Sequence, residues 1–111
     1  MYKRFKEHKM LIEVTDKNFN EIISQKRVII DFWAPWCGPC RMISPTIEEI
    51  HKEEEGITVG KLNVDDYPEL AGKHGVMSIP TLLFFKEGEL VDSSIGVVSK
   101  NIILNKLAAM A

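Results

Sequence analysis

The stretch "DFWAPWCGPC", Asp31 to Cys40, holds the chain's two cysteines three residues apart, with two tryptophans and an acid beside them. It begins inside Val28–Trp33 (VIIDFW), a near-continuous apolar run of the kind expected of a central strand covered on both faces. Ala34-Pro35-Trp36 reads as a loop. A helix is predicted from about Cys37 to Glu55, with Met42, Ile43, Ile47 and Ile50 as its apolar positions. Pro45 falls inside it and is expected to kink it, because proline removes one hydrogen bond and clashes one turn back. A Cys-x-x-Cys tetrapeptide alone is a moderate signal. One that opens a helix directly after a buried-type strand is a strong signal for redox chemistry.

With Cys37 at the helix start, both cysteines fall on one face, one turn apart. Their Cα atoms are then roughly 5–6 Å from one another, inside the disulfide range, so the pair can close and reopen with little backbone motion. Unpaired N–H groups and the positive end of the helix dipole favour an anion at Cys37, and thiolate is the attacking species. Cys40, a turn inside, is expected to be more buried and to keep its proton longer. Cys37 then attacks a partner disulfide, and Cys40 resolves the mixed disulfide. Pro39 suits and stiffens a first helical turn, and Gly38 leaves room for a partner chain. Three plainer readings compete. Zinc needs four ligands, and only His8, His51 and His74 remain, without ligand spacing to the pair. A static staple across so short a loop gains little entropy. The third reading is two ordinary reduced cysteines.

Working outward, Met10–Val14 (MLIEV) reads as a short strand. Thr15-Asp16 offers caps to a helix through Phe19, Ile22 and Ile23. Ile57–Val64 (ITVGKLNV) is the next strand. Pro68 opens a short helix through about Lys73, stopped by Gly75. Thr81–Phe85 and Glu89–Ser94 flank Lys86-Glu87-Gly88, a hairpin signal. Ser99 caps a last helix with Ile102, Ile103, Leu104 and Leu107 toward the sheet. The order β-α-β-α-β-α-β-β-α implies an α/β fold, a central mixed sheet flanked by helices on both faces.

The 111 residues fit a single domain, 10–111, behind a short basic tail, Met1–Lys9. That tail lacks the apolar stretch of a signal peptide, since Met10-Leu11-Ile12 runs straight into Glu13. A formal charge of −2 gives no case for nucleic acid or an anionic membrane, and no apolar run reaches a membrane span of about 18 residues. With no export signal, a reducing cytoplasm is expected, where close cysteines serve redox chemistry or metal rather than structure.

These residues, with "KLNVD" (61–65), "SIPT" (78–81) and Gly96 in the same order, resemble the thioredoxin family over about residues 10–110. "WCGPC" is the most specific part. The resemblance implies a thioredoxin fold and a monomeric protein dithiol–disulfide oxidoreductase with no bound cofactor. Its electrons would come from a thioredoxin reductase, and its clients would be disulfide-containing proteins such as ribonucleotide reductase, peroxiredoxins and methionine sulfoxide reductases. Cys37 matches the family's nucleophile and Cys40 its resolving cysteine. Gly38-Pro39 resembles the reductase members rather than oxidases, isomerases or glutaredoxins. A binding module or structural subunit using the same groove is the rival from another class, and two intact cysteines argue against it.

Periodicity leaves Asp31 evenly poised between a buried acid and an exposed strand end. The resemblance places a buried acid there, able to take a proton from Cys40. It likewise pairs Lys61 with that acid, where the residue alone reads equally as a solvated lysine. It implies a cis bond at Ile79–Pro80, facing the cysteines, with Ile79 backbone groups open to an extended substrate. Trp36, Ile79 and Gly96 would form an apolar docking patch, while Trp33 packs against the site. His51 and His74 read as helix-surface residues without a role. Pro35, Tyr67 and Val97 depart from common bacterial members; Pro35 alters the charge beside the site and so bears on partner preference.

Overall fold

A computed structural model describes residues 11–111, so the tail Met1–Lys9 and the predicted strand residue Met10 lie outside the described residues. The elements are β1 (Ile12–Glu13), α1 (Phe19–Ile23), β2 (Val28–Trp33), α2 (Gly38–Glu53), β3 (Thr58–Asn63), α3 (Pro68–Lys73), β4 (Thr81–Lys86), β5 (Glu89–Ile95) and α4 (Lys100–Ala109). They form a mixed five-stranded sheet in the order β1-β3-β2-β4-β5, with β2 central. β3 runs parallel to β1 and β2, and β4 runs antiparallel to β2 and β5.

Every residue of β2 except Trp33 is buried, because helices cover both of its faces. Alternation along the strand sorts its side chains. Ile29 packs with Ile43, Ile47 and Ile50 of α2 and Ile103 and Leu107 of α4. Val28, Ile30 and Phe32 pack on the other face with Phe19 and Ile22 of α1 and Ala71 of α3. Asp31, two residues beyond Ile29, therefore points to the face that carries α2.

The turn chemistry explains the connections. β4 and β5 are joined through Glu87 and Gly88, both at positive φ (52° and 92°), as suits a two-residue hairpin turn. Ser99 Oγ accepts the Ile102 N–H at 3.4 Å and starts α4. Ser99→Ala is expected to lower stability by about 0.5–1 kcal/mol in denaturant unfolding, with the slope unchanged. At the opposite end of β2, the Arg27 guanidinium donates to Leu107 O at 3.2 Å and to Glu55 O at 3.4 Å. Lys100 joins α4 to α2 through Glu49 (2.9 Å) and Glu53 (2.7 Å).

Several side chains differ from expectation. Met42 and Ile102 are exposed, because the core phase of each helix is set by Ile43, Ile47 and Ile50 and by Ile103, Leu107 and Met110. His51 is buried, one turn after Ile47 on the same face. His74 is half-buried; its ring lies against Phe19 and Phe85, and its Nδ1 is 2.9 Å from Leu70 O. At α1, the Thr15 hydroxyl accepts from the N–H groups of Lys17 and Asn18, and the Asn18 carboxamide accepts the Thr15 N–H in return. Pro45 stays inside α2, which continues to Glu53.

Candidate active site

The loop after β2 is a turn in which Ala34 O accepts the Cys37 N–H at 3.1 Å. Pro35 stands second in it, where its fixed φ is preorganised for such a turn. Arg41 Nη1 donates to Pro35 O at 2.8 Å and ties the turn to the helix. Cys37 is the N-cap of α2, with extended backbone (φ −90°, ψ 109°), and Pro39 occupies the first turn.

Cys37 and Cys40 are joined as a disulfide with Cα atoms 5.3 Å apart. Cys37 Sγ also accepts the Cys40 N–H at 3.1 Å. One sulfur thus sits at the helix mouth and receives an amide that would otherwise be unpaired, as a capping oxygen does. A negative charge on Cys37 is favoured there by that amide and by the helix dipole. The difference between the sulfurs does not come from burial. Both cysteines are 3% exposed, because Cys37 packs with Ala34, Trp33, Val64 and Ile79 as closely as Cys40 does.

The Ile79–Pro80 peptide bond is cis, and Ile79 O lies 3.9 Å from Cys37 Sγ. Gly96 N–H donates to Pro80 O at 2.8 Å, which brings the end of β5 to the same rim. Gly96 has φ +83°, a left-handed conformation in which a side chain is strained. A Cβ on Gly38 would meet nothing within 4 Å, so no internal packing requires glycine there. Trp36 is 67% exposed and Trp33 half-buried. The Trp36 indole donates to Asp65 Oδ2 at 3.0 Å. Asp65 and Arg41 had no role in the sequence reading; the acid closing "KLNVD" was the available signal.

Asp31 is 1% exposed, and its Oδ1 has no hydrogen-bond partner among the described residues. Burial pushes its carboxyl up from 3.8 to about 6, with the Lys61 ammonium pulling the other way. Lys61 is its register partner on β3, and its Nζ lies 4.5 Å over the Trp33 ring. Lys61 therefore acts on Asp31 as a nearby charge held by an aromatic face. It also lines a cleft of about 200 Å³ with Val14, Trp33, Asn63 and Tyr67. Among the described residues, no group of three or more His, Cys, Asp or Glu side chains is placed to hold a metal.

A closable dithiol at a helix mouth can pass two electrons to a disulfide. Comparisons with known proteins agree. The family model described as thioredoxin matches residues 10–109. The chain is 50% identical over 98 residues to thioredoxin of Chlorobaculum thiosulfatiphilum, covering 86% of this chain and 91% of that protein. It is 48% identical over 91 residues to thioredoxin of Bacillus subtilis, covering 81% and 88%. Its fold matches a mutant thioredoxin from Halobacterium salinarum with a TM-score of 0.84 at 30% identity, covering 89% and 88%. A disulfide-capable pair at the family's WCxxC position makes the chain a dithiol–disulfide oxidoreductase, and a non-catalytic module is not favoured. This protein belongs to the thioredoxin family.

Proposed function

We propose that residues 10–111 act as one monomeric thioredoxin domain that reduces protein disulfides in a reducing cytoplasm, recharged by a thioredoxin reductase. The observation that carries this reading is Cys37 Sγ at the mouth of α2, taking the Cys40 amide at 3.1 Å. A sulfur so placed leaves the disulfide readily as thiolate and attacks readily as one.

In the reduced protein, Cys37 thiolate attacks one sulfur of a client disulfide. A Cys37–client bond forms, and the client's other sulfur leaves as thiolate. Asp31, on the sheet face beneath α2, takes the Cys40 proton. Cys40 thiolate then attacks Cys37 Sγ, re-forming the Cys37–Cys40 bond and releasing the client's second thiolate. Two electrons have passed to the client. A carboxyl held near neutrality suits this proton transfer better than an ordinary aspartate, and Lys61 keeps it from rising further. Trp36, Ile79, Pro80 and Gly96 line the approach, with Gly38 and Pro39 presenting the sulfur. Ile79 offers an extended client chain backbone groups to pair with.

Limited alkylation of the reduced protein at pH 7, mapped by peptide mass, tests the asymmetry. Cys37 is expected to take the first label. Label on Cys40 ahead of Cys37, or on neither, removes this reading. The cytoplasmic and reductase assignments are tested by fractionation and by turnover with NADPH and a thioredoxin reductase.

A further inference from the structure

Three segments converge on the disulfide: Trp36-Cys37, the stretch before the cis bond, and the end of β5 (Gly96–Pro80, 2.8 Å; Cys37–Ile79, 3.9 Å). One side chain close in sequence to this rim is nearly free of the protein. Met77, two residues before Ile79, is 96% exposed. Met42 is 68% exposed on the outer face of α2, and Met110 is 6% exposed in the core. A thioether reacts with oxidants in proportion to its access, and oxidation turns an apolar side chain into a polar one.

We propose that Met77 is a modification site: a hydroperoxide converts its thioether to the sulfoxide and thereby weakens docking of client chains at the disulfide. The inference rests on the reading of the Trp36–Ile79–Gly96 rim as the client surface. In the step, the peroxide O–O bond breaks and its terminal oxygen bonds to Met77 Sδ. Two electrons pass from sulfur to peroxide, and water or an alcohol leaves. While Cys37 and Cys40 are joined, neither offers a thiolate to compete, and no other cysteine exists. The oxidised protein, waiting to be recharged, is then the form that registers peroxide. A sulfoxide pressed against an apolar client surface loses hydration without a built partner, and docking weakens.

The test treats the disulfide form of the full chain with hydrogen peroxide, removes the peroxide, and then measures kcat and KM for insulin reduction. Parent, Met77→Leu and Met42→Leu are each compared with their own untreated sample. Among the methionines of the described residues, peptide mapping is expected to find Met77 oxidised first, Met42 later and Met110 spared. The parent and Met42→Leu are expected to lose roughly threefold to tenfold in kcat/KM, carried by KM. Met77→Leu is expected to keep its untreated value. An equal loss in Met77→Leu, or no loss in parent fully oxidised at Met77, overturns the proposal. Untreated Trp36→Ala separates the two readings. A raised KM there with no sulfoxide effect leaves the rim standing and removes only the Met77 proposal. An unchanged KM there removes the rim, and the proposal with it.

Discussion

Cys37→Ser is expected to reduce insulin no faster than dithiothreitol alone, a loss of roughly a thousandfold or more, because the first bond of the exchange is never made. A serine hydroxyl keeps the helix cap, so folding survives while the nucleophile is lost. Cys40→Ser gives a different failure. Its Cys37 still attacks, but nothing resolves the mixed disulfide, and a covalent Cys37–client adduct accumulates on a non-reducing gel. The two variants together assign the order of attack. Parent-like turnover by Cys37→Ser, or an adduct formed through Cys40 alone, contradicts it.

Asp31→Asn is expected to change the pH dependence of stability by about 3 kcal/mol. The folded carboxyl titrates at about 6 against 3.8 when unfolded. Between those values the folded state holds the proton and the unfolded state has released it. Stability is therefore unaffected below the unfolded value and falls as pH rises through the window. The full cost, about 3 kcal/mol, is present above the folded value. Asparagine removes the charge and with it this slope. Its fixed offset from packing an amide in the same place does not vary with pH. Urea melts of the disulfide forms from pH 4 to pH 8 are expected to show the variant gaining on its parent up to about pH 6 and holding that gain above it. Parallel curves would show that Asp31 has no raised pKa. The same variant is expected to slow resolution of the mixed disulfide roughly a hundredfold at pH 7, since Cys40 loses its proton acceptor.

Much of this was legible because burial on both faces leaves a strong mark. Val28–Trp33 reads as a near-continuous apolar run and forms β2 with those bounds. Asp31 stands out as the one acid in that run, and the strand's alternation places it on the α2 face. What escaped were residues whose type misstates their position. Met42 and Ile102 are apolar yet lie about 100° round the helix from their buried neighbours Ile43 and Ile103. His51 is polar yet follows Ile47 by four and enters the core. Helical phase, taken from the triplet Ile43, Ile47 and Ile50, carries that information where residue type does not. The equal burial of Cys37 and Cys40 was illegible for another reason. It depends on Ile79, brought from the far side of the sequence to lie over the first sulfur.

Arg27 has a consequence for handling the protein. It grips Leu107 and Glu55 just before β2, while the disulfide follows the strand's other end, about 20 Å away at six residues of extended chain. Ala111 continues that gripped turn through its bond to Ala108 O. A linker fused behind Ala111 thus departs from the pole remote from Cys37. Tethered to an electrode or resin by that linker, the molecule presents its dithiol outward.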